Sequence, residues 1–252
     1  MARSFPPIQK DTLVLRLNPP IASRLARLFA PDAVPILCPS IGRVGSKMAW
    51  HALVRNRARA IFGPSRRAPQ RWIPEAIWEL KGIRFRHGAI YKTHDFPYDL
   101  VAPTSLRILF LYGRPSDSVL SVVRCHETKG AEWVRRHFAH MHADGHYGEL
   151  LHRDVLRLGE QIDAWGAVRN ANVLGMRYEK LWDNLEVLSE FVGFPITMPP
   201  QTRRSFSEMN PDIVALARKS YRDVDEREAA LPDYFHSLRT DFHIRHELRA
   251  RV

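Results

Sequence analysis

A turn with two glycines joins two segments whose hydropathy patterns differ. The apolar run 34–38 has the composition of a buried strand, and residues 46–62 carry apolar side chains at helical spacing. Gly42 and Gly45 lie between them. A helix that begins directly after such a turn presents backbone N–H groups without partners, and glycine lets a phosphate approach them closely. The strand, turn and helix together predict a site for an anion.

Arg43 and Lys47 add positive charge to the same turn. The turn is not a Walker A motif, because the pattern Gly-x4-Gly-Lys-Ser/Thr cannot be aligned with these residues. An ordinary strand-to-helix turn is therefore the alternative interpretation, and the segments downstream decide between the two.

Strands and helices alternate along the rest of the chain. The patterns predict strands at 88–97, 106–112 and 173–178, and helices at 73–80, 116–126, 130–168, 183–191 and 211–228, after a short strand at Leu13–Leu17 and a helix at Ile21–Phe29. Asp183 and Glu186 form a capping-box pattern, and Pro115 suits a first helical turn. The alternation predicts an α/β fold, a three-layer sandwich around a mostly parallel sheet, with ligands at the carboxyl ends of the strands. We expect one domain over 1–252, with an N-terminal arm (1–33), a core (34–232) and a basic tail (233–252).

The composition is that of a globular protein with a strong positive charge. The chain has 252 residues, 45% of them hydrophobic, and the 38 Lys and Arg residues exceed the 27 Asp and Glu residues by 11. This surplus favours an anionic partner. No apolar run has the length of a membrane span, and Cys38 and Cys125 are too few for a disulfide framework. We therefore expect buried structural cysteines, no membrane span and a cytoplasmic location.

Four segments in this order resemble the sulfotransferases that use 3′-phosphoadenosine 5′-phosphosulfate (PAPS) as donor. They are the glycine turn, the strand end Lys92-Thr93-His94-Asp95-Phe96-Pro97, the stretch Leu109–Ser121 and the strand Val173–Leu181 with its Tyr178-Glu179-Lys180-Leu181 end. The resemblance covers residues 34–221 and implies a fold like that of the P-loop-containing nucleoside triphosphate hydrolases. It also implies PAPS as co-substrate, without a metal.

The resemblance assigns the first loop to the donor. Arg43 takes the place of a basic residue that contacts the phosphosulfate, and the loop continues through Val44, Gly45, Ser46 and Lys47, which match the residues that hold the 5′ end. Lys47 stands where the family has a threonine or serine, so this loop carries one more positive charge.

Three further residues match the family's catalytic and 3′-phosphate positions. Lys92 and His94 match the lysine and the histidine general base of the cytosolic members, and Ser121 matches a serine that binds the 3′-phosphate. The family's arginine two residues before the proline is absent, because Gly113 stands there and Arg114 is displaced by one position. Arg114 or Arg124 is the expected substitute.

The C-terminal half departs from the cytosolic members. Their glycine-rich 3′-phosphate motif is missing from the tail, and the helix at 211–228 resembles that of bacterial and carbohydrate-type members.

Sulfuryl transfer requires fixed positive charge at the peripheral and leaving oxygens and a base for the acceptor proton. Arg43, Lys47 and Lys92 with the loop amides suit the first requirement, and His94 suits the second, because imidazole titrates near neutral pH. Asp95 is the alternative base.

Six histidines crowd the region 126–152. They are His126, His137, His140, His142, His146 and His152. Three of them, His137, His140 and His142, are alternative metal ligands. We favour the interpretation that these histidines line an acceptor pocket, so no metal is expected.

Two other functions remain open at this point. A P-loop kinase would need a carboxylate for Mg²⁺ at a strand end, and only Asp95 is near such a place. A non-catalytic basic protein would bind a nucleotide, RNA or an acidic polymer through the arginine-rich segment 55–71 and the tail. We expect a small-molecule or glycan acceptor for the hydroxyl or amine that receives the sulfuryl group, with an anionic one favoured by the charge, and no nucleic acid.

Overall fold

The computed structural model describes residues 32–63, 73–202 and 204–237. The strand expected at Leu13–Leu17 and the helix expected at Ile21–Phe29 lie outside these ranges. So does most of the tail.

A six-stranded, mostly parallel sheet forms the centre of the described structure. Its strands are β1 (Ile36–Pro39), β2 (Pro74–Ala76), β3 (Ile90–Thr93), β4 (Arg107–Tyr112), β5 (Asn172–Arg177) and β6 (Tyr234–Ser237). They are arranged in the order β2-β3-β1-β4-β5-β6, and only β6 runs antiparallel to its neighbour. The predicted α/β class and mostly parallel sheet are confirmed.

Seven α-helices accompany the sheet in the part of the chain that the structure describes. They are α1 (Ser46–Phe62), α2 (Pro115–Lys129), α3 (Ala131–His140), α4 (Leu158–Gly166), α5 (Leu185–Val192), α6 (Pro211–Ser220) and α7 (Arg222–Ala229). Short 3-10 turns occur at Pro97–Asp99, Tyr147–Glu149 and Tyr178–Lys180. The arrangement is compatible with a three-layer sandwich. None of the described helices is both long and apolar enough to cross a membrane.

The central strands are buried on both faces, as expected for parallel strands between helices. Every residue from Ile108 to Tyr112 is completely buried, and the ring of Phe110 stacks on Trp165 of α4 at a centroid distance of 6.0 Å. Both cysteines are free and buried, as the composition predicted. Because the central strands are packed on both faces, the residues at their ends are held in defined positions.

The carboxyl ends of the central strands meet at one edge of the sheet. In β1 and β3, Pro39 pairs with Thr93, and a bridge joins Ser40 to Leu111 of β4. β2 and β3 lie on one side of β1, whereas β4, β5 and β6 lie on the other, so the strand order switches sides at β1. This is the position at which open α/β sheets bind ligands.

The predicted continuous helix over 130–168 is wrong. The chain breaks after α3 and turns until α4 begins, with positive φ angles at His142 and Arg157. The carboxylate of Asp154 accepts hydrogen bonds from the N–H groups of Leu158 (3.0 Å) and Gly159 (2.8 Å), which satisfies the first turn of α4. The apolar stripe at 151–165 therefore spans a buried turn as well as a helix.

The short helix predicted at 73–80 is also wrong, because this segment contains the edge strand β2. The N–H of Ile90 donates to the carbonyl oxygen of Ile73 (2.6 Å), and the N–H of Ile77 donates to that of Lys92 (2.9 Å). Pairing with β3 thus overrides the local pattern.

Two predicted helix boundaries differ as well. The capping box at Asp183 and Glu186 does not form, since α5 begins after Asn184 without a side-chain cap; Gly193 follows its last residue in the left-handed conformation. The helix predicted over 211–228 is interrupted at Tyr221, whose hydroxyl donates to the carbonyl oxygens of Leu150 and Arg153.

Candidate active site

The loop after β1 has the backbone of an anion-binding turn. Gly42, Arg43 and Gly45 all have positive φ angles, of 77°, 52° and 75°. Within the described ranges, none of the N–H groups from Arg43 to Lys47 donates a hydrogen bond. Successive unpaired N–H groups at the start of a 17-residue helix concentrate positive potential there. The loop therefore has the geometry expected for a phosphate or sulfate group.

Both glycines of the loop are required by close neighbours as well as by their φ angles. A Cβ atom on Gly45 would lie 2.2 Å from the ring of Tyr178, which directly follows β5. One on Gly42 would lie 2.7 Å from Sδ of Met141. The side chains of these two neighbours thus hold the loop against the ends of other elements.

A chain of hydrogen bonds runs from the end of β1 to the end of β3. Nδ1 of His94 lies 2.9 Å from the carbonyl oxygen of Ser40 and 3.0 Å from its Oγ, and Nε2 lies 2.9 Å from Nζ of Lys92. The carbonyl oxygen can only accept, so Nδ1 carries the hydrogen and Nε2 accepts from the lysine ammonium. His94 is therefore a neutral imidazole whose basic nitrogen faces the lysine.

Burial sets the protonation of this pair. It lowers the pKa of His94 well below its usual value, and the Lys92 charge lowers it further, so the expectation that this imidazole titrates near neutral pH is wrong while Lys92 is its partner. It also lowers the pKa of Lys92 to about 8, with Lys47 and Arg43 acting in the same direction. These electrostatic effects place Lys92, Lys47 and Arg43 in one neighbourhood. At neutral pH the structure thus pairs a cationic lysine with a neutral histidine.

The main chain of the β3 end is fixed by α4. Nε2 of Gln161 donates to the carbonyl oxygen of His94 (2.8 Å), and Nε1 of Trp165 donates to that of Asp95 (3.1 Å). The carboxylate of Asp95 accepts from the N–H groups of Leu80 (2.6 Å) and Phe96 (2.8 Å). Asp95 is engaged in holding the loop, which argues against its alternative role as the base.

Two of the clustered histidines cover His94. The ring of His140 lies 5.0 Å from that of His94 and stacks on Trp78 (4.4 Å), and the ring of His137 lies 6.3 Å from that of His94. Burial lowers the pKa of His137 to about 3, and Arg43 contributes to this shift. His137 and His140 therefore form a neutral wall beside the Lys92–His94 pair.

Two more of the clustered histidines, His142 and His126, have other partners. Nε2 of His142 lies 3.1 Å from Oδ1 of Asp95, whereas His126 stacks on Tyr147. Among the residues that the structure describes, no group of three or more His, Cys, Asp or Glu side chains is arranged to hold a metal ion.

The helix α2 brings Ser121 to the glycine loop. Nε of Arg43 donates to Oγ of Ser121 (3.1 Å), and Oγ of Ser118 donates to the carbonyl oxygen of Gly42 (3.1 Å). The guanidinium of Arg43 also lies 5.2 Å from the ring centroid of Trp133. The structure thus brings together five sequence-predicted site residues, namely Arg43, Gly45, Lys92, His94 and Ser121.

The remaining predicted site residues differ in their surroundings. Val44 and Ser46 are buried in the loop, and Lys47 is exposed at the first turn of α1. Arg114 is exposed, and within the described residues its side chain makes no hydrogen bond or ion pair, although its carbonyl oxygen accepts from the N–H groups of Asp117 and Ser118. Nothing in its surroundings directs it toward Ser121, so its expected role as a substitute for the arginine missing at Gly113 gains no support.

Sequence reasoning missed Arg204, which lies beside Tyr178, the residue that packs against Gly45. Its guanidinium lies 5.7 Å from the ring centroid of Tyr178. Burial lowers the pKa of Arg204 and Arg43 lowers it slightly, whereas Glu179 and Asp117 oppose the shift. No local pattern marks this residue, because it lies in an irregular segment far along the chain from the glycine loop.

No protein-family model matches the chain, and no significant match appears among curated proteins. The function must therefore be argued from the arrangement of residues at the carboxyl edge of the sheet.

Proposed function

We propose that this protein is a sulfotransferase that moves a sulfuryl group from PAPS to a hydroxyl or amine acceptor. The observation that carries the proposal is the position of the Lys92–His94 pair beside the free N–H groups of the loop 43–47. One element supplies an anion cradle, and the neighbouring strand supplies a cation and a base. Direct group transfer between an activated anion and a neutral nucleophile needs these three functions.

The donor would bind with its 5′-phosphosulfate in the cradle. The loop N–H groups would donate to its oxygens, and the dipole of α1 would favour its negative charge. The resemblance noted for four segments of the sequence supports the same orientation, with the strand end at Lys92 next to the reacting sulfur.

The transfer step follows from the hydrogen bonds of His94. The acceptor oxygen or nitrogen attacks sulfur and forms the new bond while the bond from sulfur to the bridging phosphate oxygen breaks. The electron pair of the broken bond stays on the 5′-phosphate, and the acceptor proton passes to Nε2 of His94. The products are the sulfated acceptor and 3′,5′-adenosine bisphosphate.

Lys92 would change partners during this step. In the structure its ammonium occupies Nε2 of His94, the nitrogen that must receive the acceptor proton. A donor in the cradle offers a stronger anionic partner, so the ammonium would move to the bridging oxygen and stabilise the charge that develops there. Donor binding would thereby free the base for the acceptor.

A titration with 3′,5′-adenosine bisphosphate against ATP with Mg²⁺ tests the donor site. We expect micromolar or tighter binding of the bisphosphate in EDTA, weakened at least tenfold in Lys92→Met, and no comparable binding of ATP with Mg²⁺. The exposed helix residue Lys219, changed to Met, is the matched control for loss of one charge. Binding of ATP with Mg²⁺ alone would favour a kinase and overturn the proposal.

A further inference from the structure

The exposed face of α1 carries basic side chains along most of its length. Lys47, His51, Arg55 and Arg59 follow one another at every fourth position, and each of them is exposed. Side chains four residues apart are neighbours on a helix surface, so these four residues form a single row, the basic row. At a rise of 1.5 Å per residue the row is about 18 Å long.

The basic row has no counter-charge. The helix from Ser46 to Phe62 contains no Asp or Glu. In the described ranges, the side chains of Lys47, Arg55 and Arg59 make no ion pair within 4.0 Å and no hydrogen bond. Burial lowers the pKa of His51, and the charges of Lys47 and Arg55 lower it further. The positive potentials of neighbouring members of the row therefore overlap.

The stability of α1 does not account for this row. Like charges four residues apart destabilise a helix, and Lys47 lies in the first turn, where the helix dipole favours Asp or Glu instead. A helix face that is merely solvated usually carries charges of both signs. The cost to helix stability indicates that the row serves a partner outside the helix.

The row is narrow, which favours a linear partner. The residues between its members, at 52–54 and 56–58, are buried. Arg57 therefore belongs to the core, where it donates to the carbonyl oxygens of Val34 (2.7 Å) and Gly88 (3.1 Å). A helix that docks on a membrane surface presents large apolar residues to the lipid, and the described exposed positions of α1 contain none. A single polyanionic chain matches the row better than a plane does.

The row also lacks the features with which proteins bind nucleic acids. Single strands stack their bases on aromatic side chains, whereas Trp50 of α1 is half-buried and donates its Nε1–H to the carbonyl oxygen of Ile90 (3.0 Å). One turn of duplex DNA spans about 34–36 Å, so each backbone strand passes to the opposite side of the duplex over about 18 Å. A polysaccharide with carboxylate or sulfate groups carries its charges along one chain, and arginine binds such groups through paired N–H donors.

We propose that the basic row of α1 binds an acidic polysaccharide. Arg55 and Arg59 would hold its anionic groups away from the glycine loop, and Lys47 would hold the end of the bound segment next to that loop. The inference is independent of the proposed function, because it rests on the exposed side chains of α1 and their lack of counter-charges.

The test measures the binding of three polyanions to the full-length protein. They are heparin, poly(U) RNA and vesicles of phosphatidylglycerol and phosphatidylcholine, compared at equal anionic charge and equal salt. The variant Arg55→Gln/Arg59→Gln removes two charges from the row. The variant Lys219→Gln/Arg222→Gln, which removes two exposed cations from α6 and α7, is its matched control.

We expect the wild type to bind heparin more tightly than the other two polyanions. The row variant should weaken heparin binding by about 10–100-fold and the control by less than about threefold. In the row variant, the slope of the logarithm of affinity against the logarithm of salt concentration should fall by about one to two, because fewer counterions are released.

Three results would overturn the inference. Equal losses in the two variants would attribute heparin binding to net charge alone. Unchanged affinity in the row variant would exclude α1 as the site. Tighter binding of poly(U) or of the vesicles would assign the row to RNA or to a membrane instead. If circular dichroism shows that the double variant is unfolded, Arg55→Gln replaces it, with an expected loss of about 3–10-fold.

Discussion

At the scale of single residues, the candidate site depends on a hydrogen-bonded lysine and histidine whose pKa values are both lowered by burial. Lys92 donates to Nε2 of His94, and burial depresses the pKa of both groups. The two residues were visible in the sequence as polar positions at a strand end. Their hydrogen bond was not, because Ser40 and the covering histidines that bury the pair come from other segments.

The affinity for 3′,5′-adenosine bisphosphate is expected to fall as the pH rises through about 8. Anion binding favours the protonated form of Lys92, whose pKa is lowered to about 8, so the favourable charge is present below that pH and lost above it. The phosphates are already mostly doubly ionised at pH 6.5 and almost fully so above pH 7, since their second pKa is near 6, and their own titration therefore acts in the opposite direction to the expected fall. Calorimetric titrations between pH 6.5 and 9.5 measure the effect.

Lys92→Met provides the contrast for this pH profile. Its affinity is expected to be weaker at pH 7 and nearly constant across the same range, whereas Lys219→Met should follow the wild type. If the affinity of Lys92→Met falls with pH as steeply as that of the wild type, a group other than Lys92 is responsible for the pH dependence.

Gly45→Ala is expected to lower the free energy of unfolding by about 2 kcal/mol or more. Alanine at a φ of 75° is strained by about 1–2 kcal/mol, and its Cβ would lie 2.2 Å from the ring of Tyr178. Urea unfolding of Gly45→Ala, Tyr178→Ala and the double variant measures the coupling between the two positions. In the double variant the clash is gone, so its loss of unfolding free energy should be smaller than the sum of the two single losses. A loss equal to that sum would contradict the contact between the two positions.

At the scale of elements, α4 holds the carbonyl groups at the end of β3. The pattern at 158–165 correctly indicated a buried helical face, but not that it contacts the residues beside the reactive pair. The wrong continuous helix over 130–168 has a physical cause, since apolar residues of a buried turn imitate helical spacing. Asp144-Gly145 and Asp154 were the local signals of the break, and the side chain of Asp154 does satisfy the first turn of α4.

Gln161→Met is expected to lower the free energy of unfolding by about 1–3 kcal/mol. The side chain of Gln161 is completely buried, and its loss leaves the carbonyl oxygen of His94 without a partner in a site from which water is excluded. Gln201 makes the same kind of bond, to the carbonyl oxygen of Glu179, at an exposed position. Gln201→Met should therefore change stability by less than about 0.5 kcal/mol. Similar losses in both variants would contradict the role assigned to Gln161.

At the scale of the whole molecule, the candidate site is assembled from segments far apart in the chain. Five segments meet at one edge of the sheet. They are the glycine loop, the end of β3, the first turns of α2, the last turns of α3 and the segment 204–206. Strand and helix periodicity predicted the sheet and the loop, because these are local signals. The position of Arg204 was not predictable, since only tertiary packing brings it to Tyr178. Strand β6 arose in a segment expected to be a tail.

A ligand that bridges these segments should stabilise the whole fold. At 100 times its dissociation constant, 3′,5′-adenosine bisphosphate is expected to contribute about 2.7 kcal/mol, which corresponds to a rise in melting temperature of about 5–10 °C for a chain of this size. Thermal unfolding followed by circular dichroism measures this rise. An equal rise with inorganic sulfate at the same concentration would indicate a general anion effect and would contradict a nucleotide site.

The most direct test of the central claim is the fate of radiolabelled PAPS with ³⁵S in the sulfuryl group. Incubation with the protein and a panel of hydroxyl and amine acceptors, including water alone, should release 3′,5′-adenosine bisphosphate above the rate in buffer, with the label on the acceptor or in free sulfate. In His94→Ala this rate should fall by about 10²–10⁴-fold while the bisphosphate still binds. If PAPS binds and yet no label leaves it faster than in buffer, the protein is a nucleotide-binding protein and not a sulfotransferase.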